Sequence, residues 1–145
     1  MLDIKKEQKQ LAQLNQFCQY NFMSLWHFPM NNPKTNPRVI IIQKIYGKIY
    51  NLEEEINFPK HRFRKFIKDV VNGTLERNDL IIDELEKHLE NDLKLYKLDR
   101  IFQVIIKCAV FEFLYKPNNS IKIIIKEYLN ASNYFLEKSQ TDKHT

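Results

Sequence analysis

The sequence LDRIFQVIIKCAVFEFLY, residues 98–115, is a long and nearly unbroken apolar segment. We interpret it as a helix, and a helix that is apolar almost all round belongs at the centre of a bundle. The polar sequence KPNNS, residues 116–120, ends it. The segment therefore predicts an all-α domain whose other helices pack around it.

A second apolar segment, RVIIIQKIYGKIY at residues 38–50, is predicted to form the first of those helices. Its β-branched side chains favour a strand, which is the alternative interpretation. The apolar spacing of three and four residues favours a helix instead. Pro37 lies at or just before the first turn, where proline is tolerated. The apolar stripe consists of Val39, Ile42, Ile45, Tyr46 and Ile49, widened by Ile40 and Ile41.

Three more helices complete the predicted bundle, at about 59–72, from about 79 to 89, and from 121 to 138. Gly73 is a plausible C-terminal stop for the first of them, and Asn78 or Asp79 can cap the next. With a possible short amphipathic helix at 4–17, the domain has five or six helices. The predicted apolar faces are Phe63, Phe66, Ile67, Val70 and Val71 in the first, and Leu80, Ile81, Leu85 and Leu89 in the second.

The composition excludes several classes of protein. The 145 residues suit one domain, and only two glycines leave no Gly-rich phosphate loop. Cys18 and Cys108 stand in apolar surroundings, so we expect reduced thiols rather than a disulfide. No apolar run approaches the length of a membrane span, and the N-terminus lacks a signal-peptide core. We expect a cytoplasmic protein that does not enter a membrane.

Positive charge is concentrated in one part of the chain. Residues 30–68 carry nine basic and three acidic side chains, a net charge of +6, whereas residues 69–145 carry eleven basic and thirteen acidic side chains, a net charge of −2. Such asymmetry suggests a polyanionic partner on one side. The alternative is a solvated basic surface with no partner.

The titratable residues do not form a catalytic pattern. Glu112 lies inside the apolar run, where an unpaired charge is costly, so we expect a structural carboxylate paired with a donor such as Lys107 or a backbone amide. Cys108 has no histidine nearby in the sequence, and the four histidines lack metal-ligand spacing. We therefore predict no enzyme activity, no catalytic residue, no metal and no cofactor.

The order of features from residue 38 to about 138 resembles the NusB family of bacterial transcription antitermination factors. Its first helix is matched by RVIIIQKIY, with Arg38, Gln43, Ile45 and Tyr46 at the family spacing. Its central helix is matched by IIKCAVFEF, with Lys107 and the run Phe111-Glu112-Phe113. Further matches are Phe66, Val70, Val71, Gly73, Ile82 and Asp83, then Ile125 to Tyr128. The family asparagine of this last motif is replaced by Lys126, and the usual final family helix would begin where this chain stops.

The resemblance implies a compact NusB-type bundle that binds a boxA-type single-stranded RNA. The implied protein partner is the small-subunit ribosomal protein that doubles as NusE, within the transcription complex on ribosomal RNA operons. Residues expected to contact RNA are Lys34, Arg38, Lys44, Tyr46, Arg62, Arg64 and Lys65, and those expected to be structural are Lys107, Phe111 and Glu112. Core packing is the alternative for Tyr46, and a solvated helix face is the alternative for the run PKHRFRKFIK.

Family members begin a few residues before the arginine of the first helix, so Met30 fits their start. We therefore expect residues 1–29 to be an N-terminal extension and residues 30–145 to be the NusB-like domain. The alternative is an extension that folds onto the domain through Phe22, Leu25 and Trp26. Two other functions stay open: a bundle that binds only proteins, and an accessory domain of an RNA methyltransferase.

Overall fold

The computed structural model describes residues 35–90 and 93–143, with side chains described as far as residue 138. In these segments the chain forms five α-helices and no strand, which confirms the all-α prediction. The predicted extension at 1–29, with its possible helix at 4–17, lies outside the described residues. The helices are α1 (Pro37–Tyr50), α2 (Arg64–Glu76), α3 (Asn78–His88), α4 (Arg100–Tyr115) and α5 (Ile121–Lys143), with a short 3₁₀ helix (Leu95–Lys97) before α4.

The apolar segment around which the bundle was predicted forms α4, the central helix. It packs against each of the other four α-helices. Residues 108–114 are all buried, as are Val104 and Ile105 one turn earlier. Because four other helices surround α4, no side of it faces solvent over that stretch. This explains why apolar residues occur at nearly every position and not only at intervals of three and four.

The isoleucine-rich segment forms helix α1 rather than a strand. Pro37 occupies its first turn, and the Asn36 side-chain oxygen accepts hydrogen bonds from the amides of Arg38 and Val39 at 2.9 and 3.4 Å. The asparagine therefore caps amide groups that have no partner within the helix. The first half of α1 is buried on nearly every side because the helix packs against α2, α4 and α5.

Helix α2 differs from its prediction at both ends. It begins at Arg64 instead of 59, because the preceding residues form a turn in which the Arg64 amide donates to the His61 carbonyl. It continues to Glu76, so Gly73 is an interior residue and its φ is not positive. A Cβ atom at Gly73 would overlap the buried ring of Phe111 on α4. The glycine permits close helix packing, and its interpretation as a stop was wrong.

A single residue, Arg77, separates the end of α2 from the start of α3, and α3 has no side-chain cap. The predicted cap at Asn78 or Asp79 is wrong, because both residues lie within the first turn of the helix. The Asn78 side-chain oxygen instead accepts a hydrogen bond from Lys107 Nζ at 2.9 Å. Ile81 and Leu85 face the core as predicted, whereas Leu80 is exposed. Helix α5 continues five residues beyond its predicted end at 138. Within the described segments, no helix is long and apolar enough to cross a membrane.

Candidate nucleic-acid interface

Arg38, predicted to contact RNA, is placed in the core. Its Nε and Nη2 atoms each donate to a different carboxylate oxygen of Glu112, both at 3.0 Å. Arg38 is only 8% exposed and Glu112 is fully buried. The guanidinium also lies 5.3 Å from the ring centroid of Phe66 and 5.6 Å from that of Tyr128. Arg38 therefore joins α1 to α2, α4 and α5, and the two donors that face Glu112 are not available to a phosphate.

Glu112 has a structural partner, but it is Arg38 rather than the expected Lys107. Burial raises the pKa of the Glu112 carboxyl, and the charge and hydrogen bonds of Arg38 oppose that rise. Lys107 is directed to Asn78 instead, and partial burial lowers its pKa. The expectation that Lys107 donates to Glu112 is wrong, because Arg38, which is 74 residues away in the sequence, occupies both carboxylate oxygens.

Phe111 contributes to the packing of the α2–α4 interface. Its ring lies against the backbone of Gly73 and 5.1 Å from the ring of Tyr115. The guanidinium of Arg77 covers the same pair, 4.6 Å from the centroid of Tyr115. This cluster fixes the junction between α2 and α3, and it is separate from the predicted RNA-contacting residues.

Helix α1 carries two of those predicted residues, Lys44 and Tyr46, which are both half-buried and, being two positions apart, point to different sides of the helix. The Tyr46 hydroxyl lies 3.2 Å from that of Tyr50, and this hydrogen bond together with burial raises the pKa of Tyr46. Tyr50 is 58% exposed, and the guanidinium of Arg100 lies 5.6 Å from its ring centroid. Tyr46 packs partly against the core, which is the alternative weighed for it, and its hydroxyl reaches the surface. Its contact with RNA stays a prediction.

A shallow open groove of about 210 Å³ runs beside Lys44, between α1 and the loop that follows it. Gly47 lies on its floor, and a Cβ atom there would meet nothing within 4 Å. A glycine inside a helix costs about 0.5–1 kcal/mol relative to alanine, and no internal contact of Gly47 offsets that cost. Lys48, also on the groove, is held by the carbonyl oxygens of Leu52 and Glu54 at 2.6 and 2.7 Å.

The start of α2 presents the second set of predicted residues. Arg62, Arg64 and Lys65 are all exposed. The guanidinium of Arg62 lies 5.5 Å from the ring centroid of Phe63, which is itself 48% exposed. An exposed aromatic ring beside cationic side chains is suited to a nucleobase and its phosphates. Lys34 lies outside the described residues.

The two sets lie on helices that pack against each other. The carbonyl oxygen of Thr35, just before α1, lies 2.7 Å from Nε2 of His61, just before α2, so the starts of the two helices are neighbours. Tyr46 and Tyr50 lie in the C-terminal part of α1. Sequence reasoning did not select Gly47, Tyr50 or Arg100 as site residues. Exposure is the signal that distinguishes Tyr50, and it is visible only after folding.

Comparison with known proteins agrees with this architecture. The NusB family profile matches residues 35–141, which is most of the chain, and the chain belongs to the NusB family. The relatives that match include three proteins named transcription antitermination protein NusB. That of Lysinibacillus sphaericus is 30% identical over 76 residues, that of Maricaulis maris 27% over 75, and that of Bradyrhizobium sp. (strain ORS 278) 22% over 76.

Each of these alignments covers 52% of this chain, and they cover 59%, 47% and 45% of the respective relatives. The chain thus spans about half the length of the curated relatives it matches. No solved structure matches the chain.

Proposed function

We propose that this chain is a non-catalytic transcription antitermination factor that binds a boxA-type single-stranded RNA together with a NusE-type ribosomal protein. The observation that carries the proposal is the group of exposed cations beside the exposed Phe63 ring at the start of α2, in a chain of the NusB family. The relatives' shared name supports the antitermination role.

The α2 start supplies the electrostatic part of the proposed site. Arg62, Arg64 and Lys65 are exposed cations within four residues. Cations that neutralise phosphates release condensed counterions, so binding weakens as the salt concentration rises. On a single strand, each phosphate contact adds roughly −0.7 to the slope of log binding constant against log salt concentration. If all three side chains contact phosphates, they account for a slope of about −2.

Helix α1 supplies the part suited to an unpaired base. Tyr46 and Tyr50 form an aromatic pair with ring centroids 5.1 Å apart. Stacking of a base on a protein ring is worth about 1–3 kcal/mol. The open space above Gly47 lets a ligand approach the helix backbone closely, and Gln43 and Lys44 on the same groove offer polar contacts. Glu54 and Glu55 also line the groove, so it suits a base better than a phosphate.

Fluorescence anisotropy with a boxA-like RNA and a scrambled RNA of equal length tests the proposal. Each titration is run at two salt concentrations, with and without the NusE-type protein. We expect preference for the boxA-like RNA, sharpened by the protein partner. Equal binding of both RNAs would reduce the site to a non-specific basic surface, and binding of the protein alone would favour a bundle that binds only proteins.

The triple variant Arg62→Ala, Arg64→Ala, Lys65→Ala tests whether the start of α2 contacts the RNA. We expect weaker RNA binding and a salt slope flattened by roughly 2 units. The matched control combines Lys94→Ala with Lys97→Ala, two exposed cations at the two ends of the 3₁₀ helix, and should leave both quantities unchanged. An unchanged slope in the triple variant would remove the start of α2 from the site.

A further inference from the structure

His61 connects two segments that are 26 residues apart in the sequence. Its Nδ1 atom accepts a hydrogen bond from the backbone amide of Phe63 at 2.9 Å, and its Nε2 atom lies 2.7 Å from the carbonyl oxygen of Thr35. A backbone amide can only donate, so Nδ1 carries no hydrogen. A carbonyl oxygen can only accept, so Nε2 carries one. Both contacts are satisfied together by the neutral imidazole with its hydrogen on Nε2.

The two contacts of His61 join residues that lie just before α1 and just before α2. Thr35 directly precedes Asn36, the residue that caps α1. Phe63 directly precedes the first residue of α2. One imidazole ring therefore holds the chain entering α1 against the chain entering α2, beside the exposed cations Arg62, Arg64 and Lys65.

We propose that His61 is a positioning residue for RNA binding, which holds the exposed cations and the exposed Phe63 ring at the start of α2 in a fixed position against the start of α1. This inference rests on the proposed RNA-binding function and adds a residue that acts through others. Binding surfaces that are ordered beforehand avoid the entropic cost of ordering on association. A neutral imidazole adds no charge, so its contribution comes from geometry.

The loss of a cation and the loss of the His61 contact therefore have different effects on the salt dependence of RNA binding. Loss of a cation at the start of α2 flattens the salt slope, because fewer counterions are released. Loss of the His61 contact removes no cation, so it is expected to weaken RNA binding by about five-fold with an unchanged slope. That factor corresponds to the cost of fixing the backbone of roughly one residue.

Two substitutions separate the two hydrogen bonds of the ring. In His61→Asn, the side-chain oxygen can still accept from the Phe63 amide in an Asx-turn, but the side chain is too short to reach Thr35. In His61→Gln, the longer amide can reach the Thr35 carbonyl and the Phe63 contact is lost. We expect His61→Asn to show the five-fold loss and His61→Gln to stay within about two-fold of the unsubstituted chain.

His88 provides the matched control, because its Nδ1 atom bonds within one helix, to the Glu84 carbonyl on α3 at 2.8 Å. His88→Asn should bind RNA like the unsubstituted chain. Thermal melting of every variant accompanies the titrations. A ¹⁵N NMR spectrum of the unsubstituted chain should show the His61 ring with its hydrogen on Nε2, with no RNA present.

The outcomes are distinguishable. Equal RNA affinity of His61→Asn and the unsubstituted chain overturns the positioning role and leaves the proposed function intact. Loss of affinity in both His61 variants in proportion to a fall in melting temperature assigns the residue to fold stability and also overturns it. Failure of the unsubstituted chain to bind RNA overturns the proposed function and the positioning role together, and the NMR tautomer then shows whether the contact itself exists.

Discussion

Replacement of Arg38 by methionine should expose how much of the fold depends on the buried ion pair. Methionine keeps an apolar side chain against Phe66 and Tyr128 but leaves the Glu112 carboxylate, which is fully buried, without its two donors. Removal of one partner of a buried pair typically costs about 3–5 kcal/mol. Two charge-assisted hydrogen bonds at about 1.5–3 kcal/mol each give a similar figure. Domains are stable by only about 5–15 kcal/mol, so the variant should be close to unfolding.

The cost should depend on pH in a defined direction. Burial raises the pKa of the Glu112 carboxyl, and Arg38 opposes that rise in the unsubstituted chain. Without Arg38 the folded-state pKa lies further above the unfolded value of 4.5. A group whose folded pKa is raised contributes stability that is fully present below the unfolded pKa and is lost as pH rises through the folded pKa. The penalty of Arg38→Met should therefore be largest near pH 7.5 and smaller by about 1 kcal/mol or more near pH 4.5.

Urea denaturation followed by helical circular dichroism at the two pH values measures both effects. Lys116→Met is the control, because Lys116 pairs with Asp69 at 3.3 Å while their side chains are 31% and 42% exposed. Such a pair should be worth less than about 1 kcal/mol. A double variant with Arg38→Met and Glu112→Leu should recover most of the lost stability, since no unpaired charge remains. A penalty below about 1 kcal/mol, or one that is the same at both pH values, would refute the reasoning.

Two other predictions follow from the α2–α4 interface and the core. Gly73→Ala should lower the free energy of unfolding by about 1–3 kcal/mol, because the added Cβ overlaps the Phe111 ring, and Phe111→Leu in the same chain should recover part of it. Neutral or increased stability in Gly73→Ala, as helix propensity alone would give, would contradict the close packing. Complete burial raises the pKa of the Cys108 thiol, so in a Cys18→Ser chain a thiol reagent should label Cys108 only at the rate of unfolding. Rapid labelling of the folded chain would show that the core opens more readily than this packing implies.

The elements that the sequence predicted well are those whose signal is local. Helix α4 was identified from its unbroken apolar composition, and α1 from the spacing of its isoleucines. Both patterns are properties of consecutive residues, and the hydrophobic effect acts on them in the same way wherever the partner helices come from. The cap at Asn36, by contrast, was not selected, although an asparagine directly before a proline and an apolar run is a typical start signal.

The elements predicted incorrectly depend on contacts between distant parts of the chain. Gly73 resembles a helix stop because glycine is unfavourable within helices, and the ring that requires it belongs to α4. The partner of Glu112 is 74 residues away, whereas Lys107 is close in sequence but directed to Asn78. No local pattern distinguishes a buried arginine from an exposed one at the start of a helix, so the placement of Arg38 could not be read from the sequence.

The burial of Arg38 also changes how mutations of the basic surface are interpreted. Because its guanidinium is bonded to Glu112 and lies against rings of α2 and α5, Arg38 sets the position of α1 relative to α2. Substitution there is expected to lower RNA affinity together with stability, since the aromatic pair on α1 and the cations on α2 no longer hold their spacing. Substitution of Arg62, Arg64 or Lys65 is expected to lower affinity and salt slope without a change in stability. The two measurements together therefore separate a side chain that contacts RNA from one that positions the helices that do, and affinity alone does not.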